Sequence, residues 1–184
     1  MIKNSLITIL VFLLKGEKMI LKTERLTLIP LSLRQLELWT SNNSELEKEL
    51  ECIYCAEPMT GFFYDIVKGQ LNIAKKDEKN ILFYTFWFIM LNENRTIIGL
   101  ADFKDVPNSY GEIEIGYGLG EDYKKQGYMT EVIKKICSWG LSQPNVSSVI
   151  AETDAYNTDS QNVLLRCGFK LYRNSDTKWW KLTT

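Results

Sequence analysis

The sequence predicts an α+β domain built on a mixed sheet flanked by helices. Three observations predict it. Ile81–Leu91, Thr96–Phe103 and Gly111–Leu119 are β-rich runs joined by short turns, the pattern of an antiparallel meander. An amphipathic helical stretch then separates Gly111–Leu119 from the run Val146–Thr153, and a crossover of that kind makes those two strands parallel. Two further runs, FKLYRN and TKWWKL, close the chain as a hairpin.

Taken in order, LKTERLTLIPL (Leu21 to Leu31) alternates and is β-branched, so it reads as a strand ended by Pro30. LSLRQLELW has helical spacing with Ser32 as N-cap. SELEKELE is a second short helix, capped by Ser44 with Glu47 at the third helical position. A third helix carries Phe63, Ile66, Leu71 and Ile73, with its periodicity weakened by Gly69. ILFYTFWFIML is too apolar for a solvated face and reads as a central strand, followed by the turns NENR and DVPNSYG on either side of TIIGLADF. Gly111–Leu119 places Glu112, Glu114, Gly116 and Gly118 on one face and Ile113, Ile115, Tyr117 and Leu119 on the other. Met129, Val132, Ile133, Ile136, Cys137, Gly140 and Leu141 recur at the helical period, stopped before Pro144. NTDSQNVLLRCG is a last helix, with Asn157 near its start and Gly168 just past its end.

Composition narrows the chemistry. The 184 residues are 45% hydrophobic and 24% charged with a net charge of −1, and no basic face or tail advertises direct nucleic-acid binding. Histidine is absent, which excludes a Ser-His-Asp triad, a Cys-His pair and a histidine zinc site. Proton transfer must then use Asp, Glu, Lys, Tyr, Cys, Ser or water. Cys52 and Cys55 form a C-x-x-C that reads as half a zinc site or a redox pair, against four reduced thiols with Cys137 and Cys167 in a cytoplasmic protein. The expectation is the reduced reading, with no metal. The apolar run Leu6–Leu14 is too short to span a bilayer and lacks a small-x-small cleavage site. Lys15-Gly16-Glu17-Lys18 before Met19 can be encoded with a GGAG ribosome-binding sequence. The expectation is that Met19 is the native start, that residues 1–18 are translated leader, that 19–184 is a single domain, and that no membrane partner is involved.

YKKQGYMTE, at the strand-to-helix junction, poses the functional question. A helix starting near Gly127 has free N–H groups in its first turn and a dipole that favours an anion. Gly127 lets the backbone approach a phosphate, and Lys124 and Lys125 add countercharge. Neither G-x-G-x-x-G nor G-x-x-x-x-G-K-[ST] is present, so this stretch alone reads as a phosphate cradle or as a polar loop.

The ordered set EIGYGLGEDYKKQGYMTE, a helix, VIAETDAYN and NTDSQNVLLRCGF resembles the GNAT superfamily of acetyl-coenzyme A-dependent N-acetyltransferases. It is most similar to the branch of the ribosomal-protein N-terminal acetyltransferases, whose first strand LKTERLTLIPL also resembles. The likeness runs from about Leu21 to Leu182, with its specific motifs concentrated after Gly111. It implies a mostly antiparallel sheet with a parallel pair splayed around the cofactor, acetyl-CoA as acetyl donor, and a primary amine acceptor on a protein N-terminus or a small molecule. It implies a monomer or homodimer without metal.

The family's diphosphate loop, Gln/Arg-x-x-Gly-x-Gly/Ala, corresponds to Lys124, Lys125, Gln126, Gly127, Tyr128 and Met129, with Thr130 following in the helix. Lys124 replaces the usual Gln or Arg, and Met129 a small residue. Tyr117, Gly118 and Leu119 match the strand end whose backbone holds the pantetheine arm, with N–H groups near Tyr117 for the oxyanion. Glu114 matches the branch's glutamate and is the expected base, acting through water, with Glu112 as the alternative. Ser160 matches the hydroxyl that meets the departing thiolate. Asn157 matches a residue that contacts pantetheine, caps the helix, or does both. Leu164 stands where other branches carry a tyrosine general acid. A non-catalytic acyl-CoA-binding regulatory module is the competing reading. The helices of residues 32–80 are expected to set acceptor specificity. Trp87, Trp139, Trp179 and Trp180 are expected in the core or at an edge.

Overall fold

The computed structural model describes residues 19–183, and the expected leader 1–18 lies outside them. In chain order the described elements are β1 (Leu21–Lys22), β2 (Leu26–Pro30), α1 (Leu33–Ser41), α2 (Asn43–Leu50), β3 (Ile53–Tyr54), α3 (Gly61–Ala74), α4 (Ile81–Tyr84), β4 (Phe86–Leu91), β5 (Thr96–Phe103), β6 (Glu112–Leu119), α5 (Tyr128–Leu141), β7 (Ser148–Asp154), α6 (Thr158–Arg166), β8 (Lys170–Asn174) and β9 (Thr177–Thr183). The sheet order is β1-β2-β4-β5-β6-β7-β9-β8, with β3 beside β5. Along this path all pairings are antiparallel except β6 with β7. This is the mixed, mostly antiparallel sheet of an α+β fold, with the predicted meander and crossover in place.

The sheet separates two apolar layers. On one face α5 and α6 bury Val132, Ile133, Ile136 and Leu164 against Leu26, Leu28, Trp87, Ile89, Ile113 and Ile115. On the other, α1–α3 bury Leu36, Trp39, Leu46, Val67 and Leu71 against Phe86, Phe88, Met90, Ile97 and Leu100. β4 therefore feeds both layers, which is why its sequence is apolar at every position. Trp87, Trp139 and Trp180 are buried and Trp179 is half-buried, as expected of core and edge residues.

The structure corrects several local expectations. Leu21–Leu31 is a hairpin of β1 and β2 rather than one strand. The Thr23 N–H donates to Leu26 C=O at 2.9 Å and the Thr23 hydroxyl accepts from Leu26 N–H at 3.0 Å, closing a turn that alternation could not reveal. Ile81–Tyr84 is a helical turn rather than the start of the central strand. An apolar run carries no period of its own, and here Thr85 N–H closes the turn on Ile81 C=O at 2.8 Å while the Thr85 hydroxyl donates to Leu31 C=O at 2.6 Å. Asn42, not Ser44, caps α2, through Glu45 N–H at 3.2 Å; Glu47 instead accepts from Tyr54 N–H at 2.6 Å. The buried stripe of α3 is Val67, Leu71 and Ala74, with Ile66 and Ile73 exposed, and Gly69 does not interrupt it. Val146 and Ser147 precede β7, because Ser147 N–H is held by Gly111 C=O at 2.7 Å. Ser32 caps α1 as expected, in a reciprocal box with Gln35.

Trp39 joins the α1–α3 layer to the sheet, with ring centroids 5.3 Å from Phe86 and 4.9 Å from Phe88 and both contacts edge-on. Trp39→Ala removes this buried ring and is expected to cost about 3–5 kcal/mol. Urea denaturation measures it as a lowered midpoint at unchanged slope.

Candidate active site

β6 serves two neighbours with two halves. Ile115–Leu119 pair with β5 and Glu112–Glu114 with β7. Beyond the Glu114–Ile150 pair the β6–β7 ladder stops, while β7 continues to Asp154 against β9 alone. Lys104 N–H donates to Glu114 C=O at 3.0 Å and Gly120 N–H to Ile98 C=O at 2.9 Å, so the even-numbered peptide groups turn toward β5. Alternation turns those of Ile115, Tyr117 and Leu119 into the gap. The expected splay is present, and its walls are backbone.

The gap opens into a cleft of about 890 Å³, toward the upper end of the roughly 300–1,000 Å³ of small-molecule sites. Of the residues expected from sequence, Tyr117, Gly118, Leu119, Lys124, Lys125, Gly127, Tyr128, Met129, Thr130, Asn157 and Ser160 line it together. Gln126 and Glu114 are not among its lining residues. Gln126 turns its amide to Asp122 C=O, at 2.9 Å. The loop Cys55–Pro58, preceding α3, forms a wall that sequence reasoning missed.

Where α5 meets the cleft, its end is uncapped. Gly127 has φ +82°, a left-handed conformation that glycine adopts without strain, and no side chain caps this end. The first backbone bond of the helix runs from Glu131 N–H to Gly127 C=O at 3.2 Å, leaving the N–H groups of Gly127, Tyr128, Met129 and Thr130 without an acceptor among the described residues. Lys124 is ion-paired to Glu121. Lys125 on the same wall and Arg166 on α6 opposite have no ion pair among the described residues. Arg166 carried no sequence signal, since one arginine on an amphipathic helix is ordinary surface.

On the α5/α6 face, the Tyr117 and Ser160 hydroxyls lie 2.6 Å apart, and either can donate. Burial pushes the Tyr117 phenol up to about 12, against the hydrogen bond from Ser160. Asn157 Oδ1 accepts from Ser160 N–H at 3.1 Å, so it caps α6 while lining the cleft. Leu164 is fully buried in the core. The phenol beside Ser160 therefore comes from the strand, a proximity that spacing along the chain could not reveal.

On the opposite face of β6 the carboxylates differ in commitment. Glu112 pairs with Lys181 at 2.6 Å and accepts from Asn108 at 3.2 Å; these bonds, Lys181 first, hold its carboxyl below the usual range. Glu114 is ion-paired to Lys104. Asp102, on β5 directly opposite Gly116, was not anticipated. A Cβ at Gly116 would sit 2.7 Å from Asp102 Oδ1, so the glycine makes room for this carboxylate. Asp102 makes no side-chain hydrogen bond among the described residues. Burial, opposed by Lys104 and reinforced by Glu114, raises it to about 6. A single acid closing the apolar run TIIGLADF was its only trace in the sequence. Among the described residues no group of three or more Cys, Asp or Glu is placed to hold a metal, Cys52 and Cys55 included, and no helix is long and apolar enough to cross a membrane.

Comparison with known proteins gives a consistent picture. A family model described as an acetyltransferase (GNAT) domain matches residues 25–170. The Uncharacterized N-acetyltransferase YjdG of Bacillus subtilis (strain 168) is 28% identical over 166 residues, 90% of this chain and 98% of that protein. The fold resembles ribosomal-protein-S5-alanine acetyltransferase from Vibrio fischeri, with TM-score 0.67 and 15% identity over 90% of this chain and 97% of that one. It also resembles Microcin C7 self immunity acetyltransferase MccE in complex with acetyl-CoA and AMP, with TM-score 0.61 and 19% identity over 88% and 94%.

Asp102 binds its proton more tightly in the folded chain than at its ordinary value of 3.8. Its contribution therefore favours folding at low pH and is lost as pH rises through about 6. Asp102→Asn, neutral throughout, is expected to be more stable than the wild type at about pH 8, with the advantage vanishing toward about pH 4. Urea midpoints of the two proteins across that range give the test.

Proposed function

The chain belongs to the GNAT acetyltransferase family, an acyltransferase enzyme, and from that premise we propose that it moves an acetyl group from acetyl-CoA to a primary amine by direct attack. One observation carries the reading. The gap between β6 and β7 runs directly to the uncapped start of α5, so backbone pairing groups and anion-binding amides line one continuous cleft.

Bound acetyl-CoA would supply the acetyl group as an activated thioester. The amides of Gly127–Thr130 bind its diphosphate, with Lys124, Lys125 and Arg166 as countercharge. The peptide groups of Tyr117 and Leu119, flanking Gly118, hold the pantetheine arm in the place β7 vacates. The N–H groups near Tyr117 stabilise negative charge on the reacting carbonyl oxygen. Asn157 keeps Ser160 at the head of α6, where the Ser160 hydroxyl would donate a hydrogen bond to the departing thiolate, with Tyr117 O–H behind it. Glu114 accepts the amine proton through water, next to Lys104 and Asp102. Glu112, held by Lys181 and Asn108, takes no part.

The acceptor is a protein N-terminus or a small-molecule amine, taken up in the cytoplasm and without a nucleic-acid or membrane partner. Residues 55–58, which line the cleft, and the helices around them would select it. Likeness in fold to proteins named as a ribosomal-protein-alanine acetyltransferase and as a microcin self immunity acetyltransferase supports keeping both kinds of acceptor open.

An acetylation panel of polyamines, aminoglycosides, free amino acids and peptide N-termini, read by thiol release, should give turnover with at least one class. Coenzyme A binding in calorimetry without turnover on any amine would leave a non-catalytic acyl-CoA module. Gly127→Asp should weaken coenzyme A binding by placing a charge against the diphosphate.

With the best acceptor, Glu114→Gln is expected to lower kcat on the order of 10²-fold while coenzyme A affinity stays within about twofold. An unchanged pH–rate profile would remove Glu114 as the base.

A further inference from the structure

Arg25, in the turn between β1 and β2, reaches across to the start of α5. Its Nε pairs with Glu131 Oε2 at 2.9 Å, its backbone N–H donates to Glu131 Oε1 at 3.0 Å, and its Nη1 donates to Gln126 C=O at 3.1 Å. The guanidinium lies over the Tyr128 ring, 4.4 Å from its centroid. The Thr23 hydroxyl donates to the same Glu131 oxygen. A Cβ at Gly127 would be 3.5 Å from Arg25 Nη2, so the arginine flanks the glycine itself. One side chain thus grips the loop before α5, its first ring and its first-turn acid.

The acid explains why this grip matters. Glu131 sits in the first turn of α5, where a carboxylate suits the helix dipole but repels any anion bound to the same amides. Burial alone would raise its pKa, yet the bonds from Thr23 and Arg25 hold the carboxyl below its usual range, so it stays charged. A diphosphate at Gly127–Thr130 would meet that charge unless a fixed cation compensated it. Lys124, already paired with Glu121, and Lys125, facing the cleft, are not bonded to Glu131. Arg25 is.

We propose that Arg25 is a positioning residue for the anion loop: it clamps Gln126 and Tyr128 to the N-terminal hairpin and masks the charge of Glu131, so that the amides of Gly127–Thr130 stay available to a diphosphate. The proposal rests on the reading of this loop as the coenzyme A diphosphate site. The clamp also gives the β1–β2 turn, which is not among the residues lining the cleft, a part in donor binding.

Calorimetric titration with coenzyme A of the wild type, Arg25→Gln, Glu131→Gln, the double variant and Gly127→Asp tests it. Arg25→Gln should weaken binding about tenfold, because it unmasks a charge near the anion. Adding Glu131→Gln to Arg25→Gln should recover at least about threefold, since the repelling charge is then gone, and the Arg25→Gln deficit should shrink as salt screens Glu131. A purely structural clamp would leave the double variant no tighter than Arg25→Gln, and that result overturns the proposal. So does Arg25→Gln binding within about twofold of the wild type while Gly127→Asp is impaired. Gly127→Asp within about twofold of the wild type would instead bring down the loop reading, and this proposal with it. Should Arg25→Gln fail to fold, Arg25→Lys, which keeps the charge but loses the fork, replaces it. Arg25→Lys binding as tightly as the wild type would then refute the clamp.

Discussion

A peptide group removed from water must find a partner. β6 meets this demand with two different neighbours along its length, and the rest of the site depends on the point where it changes over. Up to Glu114 the strand is satisfied on both sides, by the backbone of Lys104 and Asn108 beyond β5 and by β7. Past Glu114, β7 keeps only its outer partner β9, through to the Asp154–Thr177 pair, and the inner edge of β6 is left without a strand among the described residues. Such an edge persists in a native sheet only where it faces solvent or a ligand that pairs with it. The cleft is therefore made by the parting of β6 from β7 rather than by a hollow beside the sheet.

Keeping that edge open requires that the sheet not relax shut, and the two apolar layers prevent this. β4 is buried on both faces and anchors the middle of the sheet between α1–α3 and α5. α5 lies close against β6: a Cβ at Gly140 would stand 2.8 Å from Ile113 Cδ1. That contact fixes the far end of α5, and the helix carries its uncapped start to the mouth of the gap. The Tyr117–Ser160 hydrogen bond ties the freed half of β6 to α6. The opening is thus braced by two helices on one face and by a fully buried strand behind it.

How much of this could be read from the chain alone follows from which elements carry a period. β6 alternates, and α5 and α6 repeat at the helical period with a glycine or an asparagine at the right end, so their positions and the parallel crossover were legible. Ile81–Tyr84 carried no period, since apolar residues serve a helical turn and a strand equally well in a doubly covered layer. The β1–β2 hairpin turned on one side-chain bond of Thr23, which no pattern of hydrophobicity encodes. In the candidate site, the residues named from motif order line one cleft by backbone or by helix start, because order along the chain locates them. Asp102, Arg25, Arg166 and the Tyr117 phenol were missed because their meaning comes from contacts across the sheet.

The alternation of β6 also arranges the chemistry of the proposed reaction. Tyr117 points to the α5/α6 face and meets Ser160, while Glu114 and Gly116 point to the α1–α3 face, where Lys104 and Asp102 lie. A strand with side chains of period two places a proton donor and a proton acceptor on opposite sides of one backbone, with the peptide groups of Tyr117 and Leu119 between them. An amine approaching from the α1–α3 side and a thiol leaving on the α6 side then never compete for one titrating group. A single histidine would have to serve both steps in turn, as base and then as acid. In a chain without histidine, splitting the two steps across the strand removes that demand, and the Cβ-free Gly116 is what lets the acidic side come close to the edge.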